Sequence, residues 1–201
     1  MSEFDRWETR FSGADYVFGE APSIFFLAHR ELPPRAGRAL AVADGEGRNG
    51  VFLAGQVLAV VSTDFSPNAQ AKARALAARR GVALDLVLAD AHDWDYPPAA
   101  FDVVIDIFTQ FSTPGLRARK WAGVRRALKP GGLLLLEGYT PEQIAHGAGG
   151  PRDPAQLYTR ELLEREFAWL ARREIRAYET VLDEGAGHAG PSSVIDLVGW
   201  A

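Results

Sequence analysis

Residues 45–50 read G-E-G-R-N-G, between an apolar run at 39–43 and a short helix-like stretch at 51–54. A strand, then glycines, then a helix leaves unpaired backbone N–H groups at the carboxyl end of a sheet. Glycine lets a ligand approach the main chain there, which makes the stretch a nucleotide or nucleoside site. Plain tight turns share the spelling, so the acids further along carry the argument. Asp64 follows Gly45 by 19 residues at the end of the next apolar run, where a carboxylate can accept both hydroxyls of a ribose. Both a nicotinamide nucleotide and an adenosyl sulfonium offer that ribose. Asp90, in L-V-L-A-D-A-H-D-W, can accept the exocyclic amine of adenine while Ala91 or His92 offers a backbone N–H. Trp94 is placed to cover a ring face.

The elements that must position these groups alternate along the chain. Strands are predicted at 39–43, 58–63, 84–88, 103–108 and 133–137, separated by helices, the pattern of a mostly parallel sheet covered on both faces. Ser66-Pro67 caps a helix over 68–80 that Gly81 stops, and Thr113-Pro114 repeats the signal before a helix reaching about Leu128. Lys129-Pro130-Gly131-Gly132 then reads as a tight turn into the fifth strand. A helix over 159–170 precedes strands at 174–182 and 193–200. Only residues 183–192 separate these two strands, too few for a crossover helix, so they are predicted to be antiparallel neighbours.

The expected fold is therefore α/β, a Rossmann-like doubly wound sheet of seven strands, six parallel and the last antiparallel. Residues 1–37, rich in aromatics, are expected to form an N-terminal helix and lid over a core at 38–201, within one structural domain. A loop over 141–158 is long for a connection. Segments meeting at the carboxyl edge of the sheet supply His146, Arg152, Tyr158 and His188 as candidates for contact with a substrate.

The chain has 201 residues, with 22 basic and 26 acidic side chains, a formal charge of −4 and no basic block to follow a phosphate backbone. Nucleic acid is not the expected partner. Neither a secretion signal nor a membrane span is legible, so a cytoplasmic protein without a membrane partner is expected. The chain contains no cysteine, so thiolate chemistry is excluded.

The series A-L-A-V-A-D-G-E-G-R-N, V-V-S-T-D, L-V-L-A-D-A, F-D-V-V-I-D and A-L-K-P-G-G-L-L-L-L-E resembles the class I S-adenosylmethionine-dependent methyltransferases over roughly residues 38–138. Within them, G-R-N after the glycines, W-x-x-R-F with Y-x-F-G-x-x-P near the start, and G-G-P-x-D-P after the fifth strand are similar to the tellurite-resistance and thiopurine-type bacterial enzymes. The resemblance implies S-adenosylmethionine as cofactor and no metal. Gly45 and Gly47 would approach its methionine part, Asp64 its ribose, and Asp90 with Ala91 its adenine. Asp44, Glu46, Asn49, Phe65, His92 and Ile107 complete the expected cofactor set, and Tyr16 closes over it beside Phe18.

It also implies methyl transfer to a small-molecule acceptor, including a soft sulfur, selenium or tellurium nucleophile. A nicotinamide-dependent oxidoreductase and a non-catalytic S-adenosylmethionine-binding protein are the competing readings. One departure stands out. The family places an acid two positions before its first glycine, and here Ala41 and Ala43 occupy that stretch. If Asp44 takes over part of that role, Asp44→Ala weakens S-adenosylmethionine binding at least tenfold, about 1.4 kcal/mol. Calorimetry measures this directly, and an unchanged dissociation constant rejects the substitution.

Overall fold

The computed structural model describes residues 2–56, 58–147 and 149–201. Met1, Val57 and Ala148, the first and last within the expected lid and long loop, lie outside the described residues. A seven-stranded sheet runs in the order β3-β2-β1-β4-β5-β7-β6. Its strands are β1 (Arg38–Ala41), β2 (Ala59–Asp64), β3 (Asp85–Leu88), β4 (Phe101–Ile107), β5 (Leu128–Tyr139), β6 (Arg172–Asp183) and β7 (Ala189–Trp200). The first five pair in parallel, and β7 lies antiparallel between β5 and β6. The terminal hairpin is as expected, though its loop is shorter, residues 184–188.

Alternation within the strands sorts side chains to two cores. Leu40, Val104, Leu134 and Leu136 meet Trp121, Val124 and Ala127 of α5 (Pro114–Ala127) on one face. Ala39, Ala41, Val103, Ile105 and Leu135 face Leu53 of α3 (Arg48–Ala54) and Phe25 and Phe26 of α2 (Ile24–Ala28) on the other. The N-terminal segment therefore does more than cover the site. Its α1 (Glu3–Phe11) lies over the carboxyl edge, while its second helix, absent from the sequence reading, seals the core.

The helix ends follow their side chains. Ser66 Oγ accepts the Ala69 N–H at the start of α4 (Pro67–Arg80), and Gly81 ends it at φ 67°. Thr113, by contrast, caps α5 without a side-chain hydrogen bond. The Lys129–Gly132 stretch belongs to β5 rather than to a turn before it. Phe101 pairs with Leu128 and Val103 with Leu133, so the extra residues bulge out of the ladder, with Gly131 at φ 76°. Residues 141–158 contain α6 (Gln143–His146) and a 3-10 turn (Pro154–Gln156); the following α7 (Arg160–Glu166) is capped by Thr159 and shorter than expected.

Two carboxylates, one half-buried and one buried, fasten the N-terminal segment. Glu8 of α1 accepts the Ser66 hydroxyl and the Asn68 N–H (3.2 Å), a negative charge at the positive end of α4. Glu46 accepts the Val17 N–H at 2.8 Å and pairs with Lys72 of α4 at 2.7 Å. With Glu46 only 2% exposed, Glu46→Gln leaves Lys72 beside a neutral amide and costs about 3 kcal/mol. Circular dichroism melting is expected to show a fall in Tm of about 6–12 °C; an unchanged Tm contradicts the role of this anchor.

Candidate functional site

At the carboxyl ends of β1, β2 and β4 a cleft of about 610 Å³, counted to its mouth, is lined by Gly45, Asp64, Phe65, Ile105, Ile107 and Asn49. Phe11 and Phe18 of the N-terminal segment, Phe108, Phe111 and His188 close its sides. Carboxyl ends of parallel strands place loop backbone around this space, as the fold predicts.

Asp64 is buried, with Oδ2 accepting the Gly45 N–H at 2.9 Å and Oδ1 the Ser66 N–H at 2.8 Å. Each oxygen keeps a second lone pair for a ligand hydroxyl. Burial raises its pKa to about 6, against the two N–H groups that favour the anion. Asp44, in the same wall, accepts the Ser62 hydroxyl at 2.8 Å and the Gly50 N–H at 3.2 Å. Burial raises its pKa to about 7.

The three glycines divide their work. Gly45, at φ 59°, borders the cleft opposite Phe11. Gly47 does not line it; at φ 86° it caps α3, and a Cβ there would stand 2.6 Å from Ala73 Cβ of α4. Gly50 leaves room for the Asp44 carboxylate, which a Cβ would meet at 2.2 Å. The carboxylate thus occupies the N-terminal end of α3, where a pyrophosphate would sit in a dinucleotide site.

Other expected residues lie outside the lining. Glu46 turns to the N-terminal segment and Lys72. Tyr16 donates to the Lys72 carbonyl at 2.9 Å and packs by Val51 and Leu76, because its ring is drawn onto α4 rather than over the cleft. Ala91 is core. Asp90 stands at the rim, half exposed, with one oxygen 2.7 Å from His92 Nδ1. The other His92 nitrogen is 2.6 Å from Ser112 Oγ, and its ring meets Phe111 edge-on at 5.5 Å. Trp94 packs on Tyr96 against the core, so it covers no ligand face. Phe65 and Phe111, 6.1 Å apart at 31°, provide the aromatic walls in its place. Phe111 escaped sequence reasoning because nothing in S-T-P before a helix marks an adjacent aromatic as a wall.

Of the four substrate candidates, one reaches the cleft. Tyr158 is fully buried against Trp121 at 5.2 Å, where its N–H donates to the Tyr139 carbonyl at 2.9 Å and holds the ring in the core. His146 lies 2.8 Å from the exposed Glu179 of β6, and Arg152 donates to the Gly147 carbonyl at 2.6 Å. His188 lines the cleft and a second cavity as well, boxed by Phe18 at 4.4 Å and Phe108 at 4.2 Å. Burial lowers its pKa to about 4, with Glu184 opposing, so the ring is neutral near pH 7. The second cavity shares Trp7, Phe18 and Phe108 with the cleft, and adds Arg6, Arg10, Gln110, Tyr139 and the backbone of 149–151 and 187. Two connected spaces, one with a ribose-type carboxylate, suit a nucleoside cofactor meeting a small second substrate.

The comparisons agree with this geometry. Residues 39–132 match the family model described as a methyltransferase domain. No curated protein matches the chain. Among solved structures, the chain is similar to a protein from work on the conversion of a disulfide bond into a thioacetal group during echinomycin biosynthesis. That likeness has 20% identity and a TM-score of 0.75, over 99% of this chain and 91% of that one. A SAM-dependent methyltransferase from Methanosarcina mazei matches at 19% identity and TM-score 0.68, over 88% of this chain and 98% of that one. TehB from Haemophilus influenzae matches at 14% identity and TM-score 0.67, over 88% of this chain and 60% of that one. Residues 39–132 thus resemble a methyltransferase domain, and the chain shares the fold of solved SAM-dependent methyltransferases.

Proposed function

We propose that the cleft holds S-adenosylmethionine and that the chain transfers its methyl group to a small molecule entering through the second cavity. The observation that carries this reading is the junction of the two spaces at Phe18, Phe108 and His188. In the displacement, a lone pair of the acceptor bonds to the methyl carbon as the carbon–sulfur pair returns to sulfur, leaving S-adenosylhomocysteine. The protein's part is alignment at about 3–3.5 Å and exclusion of water. Asp64 holds the ribose, and Phe65 and Phe111 flank the adenine. The aromatic faces of Phe11 and Phe18 favour the sulfonium.

His188 can take the proton of an acidic acceptor, with Glu184 Oε2 3.9 Å from its Nδ1 to steady the resulting cation. A pKa of about 4 makes it too weak a base for an ordinary hydroxyl. The site therefore suits an acceptor that is already anionic, or a thiol, selenol or similarly soft group. A nicotinamide reading is opposed by the Asp44 carboxyl group, which fills the start of α3 where a pyrophosphate would have to sit.

A ligand at 100 times its dissociation constant contributes about 2.7 kcal/mol, a Tm rise of about 5–10 °C. S-adenosylmethionine and S-adenosylhomocysteine are expected to produce it and NAD and NADP are not; a rise with NAD alone overturns the proposal. Release of S-adenosylhomocysteine with thiols, selenols, tellurite, amines or phenols separates an enzyme from a binding protein. The ionisation of Asp64 adds a pH signature. Binding to ribose hydroxyls selects the carboxylate, so affinity is full above the raised pKa of about 6 and lost as pH falls through it. S-adenosylhomocysteine should bind about tenfold more weakly at pH 5 than at pH 7. Calorimetry with Asp64→Asn is expected to give weak, pH-independent binding, and a flat profile in the wild type contradicts the role of Asp64.

A further inference from the structure

The second cavity has a charge character of its own. Among the described residues its lining includes Arg6 and Arg10 and no aspartate or glutamate. Arg6 is neutralised on its outer side by Glu3 at 2.7 Å. Arg10 has neither an ion pair nor a hydrogen-bonded carboxylate among the described residues, although it lies against protein on several sides. Its guanidinium is 5.2 Å from the Trp7 ring and 5.0 Å from the Phe18 ring. A Cβ at Gly187 would come within 2.9 Å of its terminal nitrogen, so backbone backs it as well. Arg10 is exposed overall, with its guanidinium over these two rings and its donors paired with no protein acceptor among the described residues.

A second donor lies in the same wall. Tyr139 is 2% exposed and its hydroxyl has no hydrogen-bond partner among the described residues. Gln110 grips its backbone on both sides, accepting the Tyr139 N–H at 2.5 Å and donating to the Tyr139 carbonyl at 2.8 Å. Burial raises the phenol's pKa, with Arg10 acting the other way, so it remains a protonated donor within electrostatic reach of Arg10. Gly149 and Gly150 cover it, and a Cβ on Gly149 would stand 2.8 Å from the hydroxyl. Leaving a buried donor unpaired costs about 1–3 kcal/mol, and an anion between Arg10 and this hydroxyl would remove that cost.

We propose that the second cavity binds a methyl acceptor bearing a carboxylate, with Arg10 as its counter-ion, the Tyr139 hydroxyl as a further donor, and Phe18 and Phe108 against its planar body. The inference rests on the reading of the adjoining cleft as the S-adenosylmethionine site. The cofactor has a carboxylate too, but Arg10 borders the second cavity and is not part of the cleft lining. The carboxylate would lie between Arg10 and the Tyr139 hydroxyl, with the reacting atom of the acceptor turned toward the cleft where the two spaces meet.

The test uses calorimetry on the protein saturated with S-adenosylhomocysteine. The probes are benzoate, indole-3-acetate and 4-hydroxycinnamate, each paired with its primary amide. At least one acid is expected to bind tenfold or more tightly than its amide. Arg10→Gln should bring that ratio close to one while changing S-adenosylhomocysteine affinity less than twofold, and Arg10→Lys should keep part of the preference. Equal affinities in every wild-type pair, or a preference that survives in Arg10→Gln, overturn the assignment. A tenfold loss of S-adenosylhomocysteine affinity in Arg10→Gln also overturns it, because the cation would then serve the cofactor. Failure of the wild type to bind S-adenosylhomocysteine at all would reject the proposed function instead.

Discussion

Arg48 and Glu184 meet at 2.7 Å with 7% and 2% of their side chains exposed. The contact joins the start of α3, directly after the glycine loop, to the loop between the last two strands. Glu184 also accepts the Ile24 N–H at 2.7 Å, and its backbone N–H bonds the His188 carbonyl at 2.9 Å. Three distant stretches of chain are thereby brought to one point. The Arg48 N–H is not well aligned for a hydrogen bond, and burying such a pair costs nearly what it returns. Its value lies in arrangement. It fixes where His188 stands relative to the cleft and how α2 enters the core. Glu137, buried near the same arginine, is pushed well above the usual carboxylate range by burial and by Glu184 and Asp196.

The sheet could be read from the chain because its information is local. Apolar runs of four to six residues, Ser66-Pro67 and Gly81 each act within a turn or two of their own position. The bulge at 129–132 was missed because proline and two glycines spell a turn equally well, and only the register against β4 shows them inside a strand. Asp64 and Gly45 reached the cleft for the reason their spacing suggests. Glu46, Tyr16 and Tyr158 did not, and in each case a partner far along the chain decided the matter: Val17 and Lys72, the Lys72 carbonyl, and Trp121. Arg10 and Phe111 acquire their positions only when α1 and the segment after β4 fold over the same edge. Motif spelling has no access to that closure.

The departure at Ala41 and Ala43 takes a different form in three dimensions. Asp44 turns its carboxylate toward Ser62 and the Gly50 N–H, so the loop regains an acid at its base. That choice explains the third glycine, whose missing side chain gives the carboxylate its space, and it separates this loop from a pyrophosphate cradle of the same spelling. The fold itself does not name an acceptor. On the proposed reading, the acceptor is constrained by side chains of the cavity wall: a weakly basic His188, aromatic sides, and Arg10, which has no matching acid among the described residues.

The central claim is that the cleft beside Asp64 holds the nucleoside and delivers the methyl group toward the second cavity. A crystal structure with S-adenosylhomocysteine bound tests it most directly. The account predicts both ribose hydroxyls within hydrogen-bond distance of the Asp64 carboxylate, adenine against Phe65 and Phe111, and the sulfur facing the space between Phe108 and His188. A ribose bound away from Asp64, or a sulfur turned from that space, would contradict it.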